Sequence, residues 1–522
     1  MSSKEPRVEQ ATIARLLERQ FLTSPDGIFL VWDDYEGGSR VWTYSQGAAE
    51  IASASQRVQA ISTPDRSPLL VIGEPTPALL FHWLACLASG VPVAMINPKA
   101  TEQEISRYLA ALAPAGVIHD ASLTELVGSV ASAAGLSVQM MVLDSNSDPD
   151  AGSSEWPGYW QHSQPGDRAG FIFTSGTTGA PKAVVLSQAN YAWGSAVCSS
   201  YFRLRGSDRL VVLLPLFHVN AQVYSVLSAI QAAASIVLAP RLSISRFWPL
   251  VDTHSITKVS MSIFGMEVIA RAGRATPTTL QLVASGTQRA RWVEGWGSEV
   301  LSMYGSSETV APPILGTTSE AVPEGFIGRV TPFYAVRVIP DSASAQSIQG
   351  SLEVAGIPGW TLAQGYVFAD GTSHSLDMTE DGWFRTGDVV ECDTSGWFRF
   401  LGRADDVLKV RGENVSPAEI EDAIRGSTGV KDVAVVGQPD VVWGHIPVAV
   451  LELSEGAHPE EVTQSVLARL SERLTPQKHP QLFFVAHELP RSNLNKVKKS
   501  VVRESLSSYE EVWRSADYER RI

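Results

Sequence analysis

The stretch with the clearest chemical potential is a loop of small, polar and cationic residues between two apolar runs, Phe171–Ser187 (FIFTSGTTGAPKAVVLS). Glycines let backbone N–H groups turn toward an anion, while serine and threonine hydroxyls add donors and Lys182 adds charge. This is the chemistry of a phosphate-binding loop. The string differs from the common P-loop, because Pro181 stands at its second glycine and Ala183 follows the lysine. A ligand-free Gly/Ser/Thr hairpin is the structural alternative, and the ten-residue length of the string argues against it.

Four further segments follow in order, and together with Thr174–Lys182 they resemble the adenylate-forming superfamily. These segments are YGSSET (Tyr304–Thr309), TGD (Thr386–Asp388), GRADDVLKVRG (Gly402–Gly412) and LPRSNLNK (Leu489–Lys496). The superfamily includes acyl- and aryl-CoA synthetases, adenylation domains of nonribosomal peptide synthetases and luciferases. The resemblance covers nearly the whole chain and is greatest for an acyl-CoA synthetase.

The resemblance implies that a carboxylate attacks the α-phosphate of ATP, so that cations and donors must be aimed at the charge that develops there. It implies ATP, Mg²⁺ and coenzyme A as the small molecules used. The β- and γ-phosphates would lie in the loop, at Thr174, Ser175, Gly176, Thr177, Thr178, Gly179 and Lys182. The remaining residues implied to bind ATP or AMP are Gly286, Tyr304, Gly305, Ser307, Asp388 and Arg403.

Individual roles also follow from the resemblance. Tyr304 would lie against adenine, Ser307 near the α-phosphate, and Asp388 would accept from the ribose hydroxyls with Arg403 beside it. Glu308 would bind Mg²⁺, which favours hard oxygen ligands. Taken without the family context, Glu308 would be a solvated acid, Asp388 a turn aspartate and Arg403 part of a surface ion pair.

The last two segments imply a mobile C-terminal domain. Lys496 resembles the catalytic lysine that bridges the substrate carboxylate and the α-phosphate, although Asn495 replaces the usual glycine before it. Asn tolerates positive φ better than most residues. Asp405 matches the hinge, and Gly412 the residue beside the pantetheine tunnel. A tight-turn glycine is the alternative for Gly412.

The acid-binding pocket is predicted from neutral segments. The segment LPLFHVNA contains His218, a candidate catalytic gate or, alternatively, a core histidine, and the other predicted pocket residues are Phe264, Gly265 and Ser285. Amino-acid-activating relatives place an aspartate near this region, and none occurs between Asp208 and Asp252. This favours a carboxylic acid without a nearby ammonium group; aryl, fatty and polycyclic acids stay open.

The elements that must position these residues show strand–helix alternation, which favours α/β layers with parallel sheets. Capping boxes at Thr101 and Ser416, the second with Pro417, predict helix starts. The region 321–400 is predicted to be a β-rich subdomain. We expect an N-terminal body over 1–404 and a small mobile α+β domain over 405–522. Buried strands are predicted at Leu69–Ile72, Pro92–Ile96, Ala115–His119, Leu210–Leu214, Ser235–Leu238 and Leu282–Ala284.

Composition excludes several classes of protein. The chain has 522 residues, 44% of them hydrophobic, with 41 Lys and Arg against 55 Asp and Glu, a net charge of −14. Such a chain builds large cores and is a poor sequence-independent nucleic-acid binder. Three dispersed cysteines predict neither disulfides nor a zinc cluster. The uncharged stretches 75–98 and 210–240 contain polar residues that argue against membrane spans, and the N-terminus shows no secretory signal, so we expect a cytoplasmic protein.

These observations favour an ATP-dependent acid–CoA ligase. An enzyme that loads the acyl group onto a carrier protein is the nearest alternative, and no carrier signature follows Lys496. A non-catalytic adenylate-binding relative is the second alternative. The presence of both Glu308 and Lys496 argues against it, whereas Asn495 is its only support.

Overall fold

The computed structural model describes residues 11–143, 160, 163–175, 181–273, 278–286, 295–317, 320–344, 346–404, 406, 408–410, 413–440, 444–474, 478–491, 497–515 and 518. The chain divides into two compact units. The first contains Met1–Val336 and Val354–Phe384, and the second contains Arg337–Glu353 and Arg385–Ile522. Each unit is described by itself.

The α-helices of the described residues alternate with strands through most of the chain. They are α1 (Ile13–Thr23), α2 (Tyr44–Ile61), α3 (Pro77–Ala88), α4 (Glu102–Leu112), α5 (Thr124–Ala133), α6 (Gln188–Tyr201), α7 (Ser228–Gln231), α8 (Ile244–Thr253), α9 (Ile263–Ala272), α10 (Pro417–Ile424), α11 (Pro459–Arg473) and α12 (Lys499–Glu504). Short 3₁₀ helices lie at Ala121–Leu123 and Leu506–Ser508, and a π-helix spans Asn220–Leu227.

The strands are short in the first half of the chain and longer in the second. They are β1 (Ile28–Asp33), β2 (Ser39–Thr43), β3 (Leu69–Ile72), β4 (Val93–Ile96), β5 (Gly116–His119), β6 (Gln139–Val142), β7 (Arg168–Ser175), β8 (Pro181–Ser187), β9 (Arg209–Val212), β10 (Ser235–Leu238), β11 (Lys258–Ser260), β12 (Leu282–Ser285), β13 (Glu299–Tyr304), β14 (Ile314–Leu315), β15 (Arg329–Val330), β16 (Ala335–Ala343), β17 (Ser347–Ala355), β18 (Gly365–Val367), β19 (Ser373–His374), β20 (Trp383–Asp393), β21 (Phe398–Arg403), β22 (Leu408–Val410), β23 (Glu413–Val415), β24 (Val430–Asp440), β25 (Gly444–Leu453), β26 (Leu482–Ala486) and β27 (Glu510–Arg514).

Two mixed sheets form the first unit. In the described residues, one has the order β15-β14-β13-β12-β11-β9-β10-β1-β2, and the other β19-β18-β8-β7-β4-β3-β5-β6. Their central strands are parallel. Strands β3, β4 and β5 are buried along their whole length, as expected for continuous apolar runs covered on both faces. The predicted α/β body and its six predicted strands are confirmed; two strands have the predicted bounds, and the other four differ by one or two residues at one or both ends.

Each of the two uncharged stretches is divided between helical and strand segments. Residues 75–98 contain α3 and β4, and residues 210–240 contain β9, the π-helix, α7 and β10. Among the described helices, none is long and apolar enough to cross a membrane. The predicted capping box at Thr101 is present at the start of α4, where the Thr101 side chain and Glu104 bond reciprocally.

The second unit contains two further sheets. Strands β16, β17, β20 and β21 form one sheet, most of whose residues belong to this unit. The other has the order β23-β22-β25-β26-β27, with β24 paired to β25 and β25 parallel to β26. Its core lies between this sheet and helices α10, α11 and α12, around Val435, Val448 and Leu470.

Two predictions about this region need correction or restriction. The capping box at Ser416 is wrong in one half: the Ser416 side chain accepts from the Glu419 amide, but the Glu419 carboxylate accepts from Lys478 at 2.8 Å. The β-rich region is present, yet its strands over 337–353 and 385–403 group with the C-terminal residues. The boundary between 404 and 405 stays a prediction, and Asp405 lies outside the described residues.

Candidate active site

The predicted phosphate loop is carried by a β-hairpin of the first unit. Strands β7 and β8 pair antiparallel, with Thr174 opposite Lys182 and Ser175 opposite Pro181. The Thr174 hydroxyl also reaches the Lys182 carbonyl at 3.4 Å. Apolar side chains bury both strands and fix the hairpin. Of the other predicted loop residues, only the backbone of Ser175 is described, and Gly176, Thr177, Thr178 and Gly179 lie outside the described residues.

Lys182 and Glu308, which are far apart in sequence, meet in the first unit. The Lys182 Nζ lies 3.5 Å from the Glu308 Oε1. A third side chain, Tyr366, completes the cluster: its hydroxyl donates to the same Glu308 oxygen at 3.1 Å, and the Lys182 Nζ lies 3.7 Å from the centroid of its ring. Tyr366 could not be predicted as a site residue from the sequence, because a single Tyr after a Gly belongs to no motif that would distinguish it.

Glu308 lies in a closely bonded turn that follows β13. Tyr304, the last residue of β13, is buried. The Ser306 amide donates to the Thr309 hydroxyl oxygen at 3.0 Å, which closes the turn. The Glu308 carbonyl accepts from the Ala363 amide at 2.8 Å. The backbone of Glu308 is therefore held by the turn that follows β13 and by a hydrogen bond from the segment before β18.

Two other residues of this turn are sterically constrained. An added Cβ at Gly305 would lie 3.0 Å from the Tyr224 hydroxyl oxygen, so a side chain would be crowded. Val310 has φ of 63°, which is unfavourable for a β-branched residue. Backbone strain of this kind is concentrated at functional sites. Ser307 is half-buried in the same turn.

His218 lies two residues before the π-helix, an element that is frequent at functional sites. The His218 carbonyl accepts from the Gln222 amide at 3.1 Å, and its ring lies 4.5 Å from that of Phe217. The Gln222 side chain is buried, donates to the Leu216 carbonyl and accepts from the Tyr191 hydroxyl. These bonds fix the backbone that carries His218.

The other predicted pocket residues occupy the ends of elements in the first unit. Ser285 is fully buried at the end of β12, and its hydroxyl has no hydrogen-bond partner among the described residues. Gly286 follows it and is exposed. Gly265 lies in the first turn of α9, where its amide donates to Ser262 at 3.0 Å. Phe264 belongs to the same turn, but its side chain lies outside the described residues.

Asp388 and Arg403 form a second charged pair, in the second unit. They lie opposite each other on β20 and β21, and the Arg403 Nη1 donates to the Asp388 Oδ1 at 2.9 Å. The same nitrogen donates to the Thr386 carbonyl at 3.0 Å. Gly387 has φ of 72°, a conformation that glycine adopts without strain. Asp388 is 4% exposed and so is held as a buried acceptor beside a cation.

The segment predicted to carry the catalytic lysine lies between two anchored residues. Arg491 and Val497 form an antiparallel bridge, and the Lys498 amide donates to the Pro490 carbonyl at 2.8 Å. The Arg491 Nη2 donates to Asp432 at 2.8 Å and to Glu452 at 3.0 Å. Lys496, Asp405 and Gly412 themselves lie outside the described residues.

Comparison with known proteins identifies the family. The description "AMP-binding enzyme" matches residues 17–367, and "AMP-binding enzyme C-terminal domain" matches residues 419–496. The chain is similar to the indoleacetate–CoA ligase of Aromatoleum aromaticum, with 27% identity over 88% of this chain and 92% of that protein. It is 28% identical to the sulfoacetate–CoA ligase of Cupriavidus necator, over 95% and 98% of the two chains.

A solved structure supports the same fold. The ATP-bound MatB of Rhodopseudomonas palustris superimposes with a TM-score of 0.80 at 24% identity, over 94% of this chain and 98% of that one. The two family-model matches confirm the resemblance to the adenylate-forming superfamily. The chain belongs to the AMP-binding enzyme family.

Proposed function

We propose that this enzyme is an ATP-dependent acid–CoA ligase that works in two half-reactions. In the first, a substrate carboxylate oxygen attacks the α-phosphorus of ATP, and the bond to pyrophosphate breaks. In the second, the thiol of coenzyme A attacks the acyl carbon, AMP leaves, and the thiol proton is lost. The observation that carries the proposal is the convergence of Lys182 and Glu308 beside the predicted phosphate hairpin. Relatives named as CoA ligases support coenzyme A as the acceptor.

The residues of the first unit would bind the nucleotide as the sequence predicts. Lys182 and the hydroxyls of the loop would hold the β- and γ-phosphates, since a lysine acts as a point charge toward phosphate. Tyr304 would lie against adenine, and Ser307 would approach the α-phosphate. Gly286 and Gly305 would leave room for the nucleotide. In the second unit, Asp388 would accept from the ribose hydroxyls while Arg403 holds it in place.

Magnesium fits the chemistry of these residues. Mg²⁺ commonly uses one or two carboxylates together with substrate phosphates and keeps several waters. Within the described part of the chain no cluster of three His, Cys, Asp or Glu could form a cage of its own, so the single carboxylate of Glu308 would be the protein ligand. When bound, the ion would neutralise charge on the phosphate oxygens.

The C-terminal domain would serve both half-reactions. We propose that Lys496 acts in adenylate formation, that residues 405–522 then turn about Asp405, and that Gly412 borders the pantetheine arm of the thiol. The body over 1–404 would hold ATP and the acid. Dependence on ATP and coenzyme A favours a cytoplasmic location.

The acid would bind next to the neutral segments that contain His218, Phe264, Gly265 and Ser285. The buried hydroxyl of Ser285 supports this position, because a buried polar atom is normally hydrogen-bonded and a substrate oxygen could be its partner. His218, half-buried two residues before the π-helix, would border the pocket. A small-molecule carboxylic acid without an ammonium group is the substrate class proposed.

Pyrophosphate release with a panel of aryl, fatty and polycyclic acids tests the proposal. We expect release with at least one acid class, and Lys496→Ala should slow it about 100- to 1,000-fold with little change in ATP affinity, because one preorganised charge at the transition state is lost. Lys498→Ala, two residues away, is the control.

Adding coenzyme A or a holo carrier protein to the same assay then identifies the acceptor. We expect an acyl-CoA thioester. Loading of the carrier alone would contradict the acceptor proposed here. Failure of every acid to release pyrophosphate, or an unchanged rate in Lys496→Ala, would contradict the first half-reaction as described.

A further inference from the structure

Tyr366 contacts both charged side chains of the proposed nucleotide site. Its hydroxyl donates to the Glu308 Oε1 at 3.1 Å, and its ring lies below the Lys182 ammonium, with the nitrogen 3.7 Å from the centroid. Tyr366 is 8% exposed, so both contacts are made where little water competes. The contacts of an ammonium with a ring face and of a hydroxyl with a carboxylate are both stronger when they are desolvated.

The segment that carries Tyr366 is held by one strand pairing and two hydrogen bonds, all to β8 or to the start of α6. Strand β18 pairs with β8, with Tyr366 opposite Val184. The Gln364 amide donates to the Val185 carbonyl at 2.8 Å. The Asn190 side chain, at the start of α6, donates to the Leu362 carbonyl at 2.8 Å. Tyr366 is thus fixed relative to Lys182 by the same sheet.

The charges themselves explain why such a residue is needed. Lys182 and Glu308 lie 3.5 Å apart and attract each other, whereas the proposed reaction needs the lysine on phosphate and the carboxylate on a cation. A neutral partner for both groups keeps each in place without adding charge. With Glu308 Oε1 held by the tyrosine hydroxyl, the carboxylate offers its second oxygen in a fixed orientation.

We propose that Tyr366 is a positioning residue that orients Glu308 for the metal ion and Lys182 for the phosphates of ATP. The inference rests on the proposed function, because it assigns these two groups to the metal–nucleotide complex. Tyr366 itself touches neither reacting atom in this scheme. Its loss therefore changes how the metal and nucleotide bind more than it changes the chemical step.

Two variants separate the two contacts. Tyr366→Phe removes the hydroxyl and keeps the ring, and Tyr366→Leu removes both. Tyr44→Phe is the matched control, since the Tyr44 hydroxyl is also buried and donates to a carbonyl, that of Ala234, at 2.8 Å. ATP binding is measured by calorimetric titration without acid at a series of Mg²⁺ concentrations, together with pyrophosphate release and melting temperature.

Tyr366→Phe should raise the Mg²⁺ concentration for half-maximal ATP binding about 3- to 10-fold, as expected for one hydrogen bond to a charged group. Pyrophosphate release at saturating Mg²⁺ should fall by a smaller factor. Tyr366→Leu should in addition weaken ATP binding at saturating Mg²⁺ by about 3-fold, because the cation–π contact is lost. Tyr44→Phe should lower only the melting temperature.

An unchanged Mg²⁺ dependence in Tyr366→Phe, or the same shift in Tyr44→Phe, would overturn the inference. Should Tyr366→Leu fail to fold, the conservative Tyr366→Phe variant still decides the result. A wild-type protein that binds Mg²⁺ and ATP but activates no acid would contradict the proposed function alone. A wild-type protein that binds no ATP at any Mg²⁺ concentration would overturn both.

Discussion

The charged pairs Lys182–Glu308 of the first unit and Arg403–Asp388 of the second each join a shielded acid to a more exposed cation. The side chain of Glu308 is 14% exposed against 26% for that of Lys182, and the side chain of Asp388 is 6% exposed against 44% for that of Arg403. Pairs with an exposed partner contribute little to folding stability, because solvent screens them. A carboxylate sheltered from water is well suited to accept from a ligand hydroxyl or to bind a cation. These pairs are therefore better explained by binding than by stability.

Asp388→Asn tests this explanation for the second pair. The change keeps the shape of the side chain but removes the charge, and hydrogen bonds to a charged acceptor are roughly twice as strong as neutral ones. We expect the KM for ATP to rise about 10- to 100-fold, in line with the loss of 1.5–3 kcal/mol for such bonds. Steady-state kinetics with varied ATP measures the change.

Glu391→Gln provides the control for Asp388→Asn. Glu391 lies on the same strand pair, opposite Arg399, with a separation of 3.7 Å between their charged atoms. It should leave the KM for ATP unchanged. A similar rise in both variants would show that charge on this hairpin acts nonspecifically, and no rise in either would remove Asp388 from the ribose site.

The residues missed by the sequence analysis depend on distant parts of the chain. Lys182 and Glu308 stand in motifs whose types and order could be recognised. Tyr366 gains its position from the pairing of β18 with β8, and nothing in its local sequence reports that pairing. The strain at Val310 likewise comes from packing, because a buried valine with φ of 63° has no local preference for that conformation.

At the scale of elements, antiparallel pairing joins the described residues on either side of both segments that are proposed to act on ATP. Strands β7 and β8 bracket the phosphate loop, and the bridge between Arg491 and Val497 brackets residues 492–496. The Arg491–Val497 bridge is stabilised by the buried carboxylate of Glu452, which is 1% exposed. Glu452 accepts from Arg491 and from the Leu489 amide. It also pairs with Lys431 at 2.5 Å. Burial alone would raise the pKa of Glu452, but these donors lower it below its ordinary value near 4.5.

Glu452→Gln should therefore destabilise the second unit at neutral pH. Because the folded pKa is lowered, the charged form contributes its full stability above about pH 4.5 and loses it as pH falls through the folded pKa. We expect a loss of about 2 kcal/mol at pH 7, as for hydrogen bonds to a charged group. The gap in melting temperature between wild type and variant should narrow on acidification. Adenylate formation should slow while ATP affinity is kept, since Glu452 holds Arg491, which precedes the segment that contains Lys496.

Glu511→Gln is the control for this pH experiment. Glu511 pairs with Arg514 at 2.7 Å on β27 of the same sheet, where both side chains are about one-third exposed. The melting temperature of Glu511→Gln should equal that of the wild type at every pH. A gap for Glu452→Gln that stays constant from pH 7 to pH 3.5 would contradict the charge assignment.

Element type was predictable where one local signal dominated. Buried parallel strands are continuous apolar runs, so β3, β4 and β5 could be located from sequence. The π-helix at Asn220–Leu227 could not be predicted, because no local pattern specifies it, and its Gln222 side chain bonds to Leu216 and to Tyr191, which is distant in sequence. The half-formed box at Ser416 has the same origin: Glu419 follows the capping pattern, yet a lysine distant in sequence takes its carboxylate.

At the scale of the whole molecule, the compact units and the proposed domains divide the chain differently. The strands over 337–353 and 385–403 group with the C-terminal residues, whereas the proposed rotation separates residues 1–404 from 405–522. Compact units are defined by which residues pack together, whereas a hinge is the position about which the backbone rotates. The two divisions of the chain therefore need not coincide. The motif around Asp405 allowed the hinge to be predicted from the sequence. The compact units could not be predicted, because they depend on the pairing between β17 and β20.

Asp405→Pro tests whether that position is the hinge. Proline fixes φ near −65° and also restricts Ala404 before it, so a rotation about this point is blocked in one of the two states. If the fixed angle permits adenylation, adenylate formation should persist while thioester formation falls about 100-fold, the loss expected when reacting groups are misplaced by an ångström or more.

Asp405→Ala is the control, because it removes the carboxylate and leaves φ unrestricted; it should retain both half-reactions. Rates of the two half-reactions, measured separately as pyrophosphate release and as acyl-CoA formed from preformed adenylate, distinguish the outcomes. Equal loss of both in Asp405→Pro would indicate a misfolded domain, and full retention of both would place the turning point elsewhere in the chain.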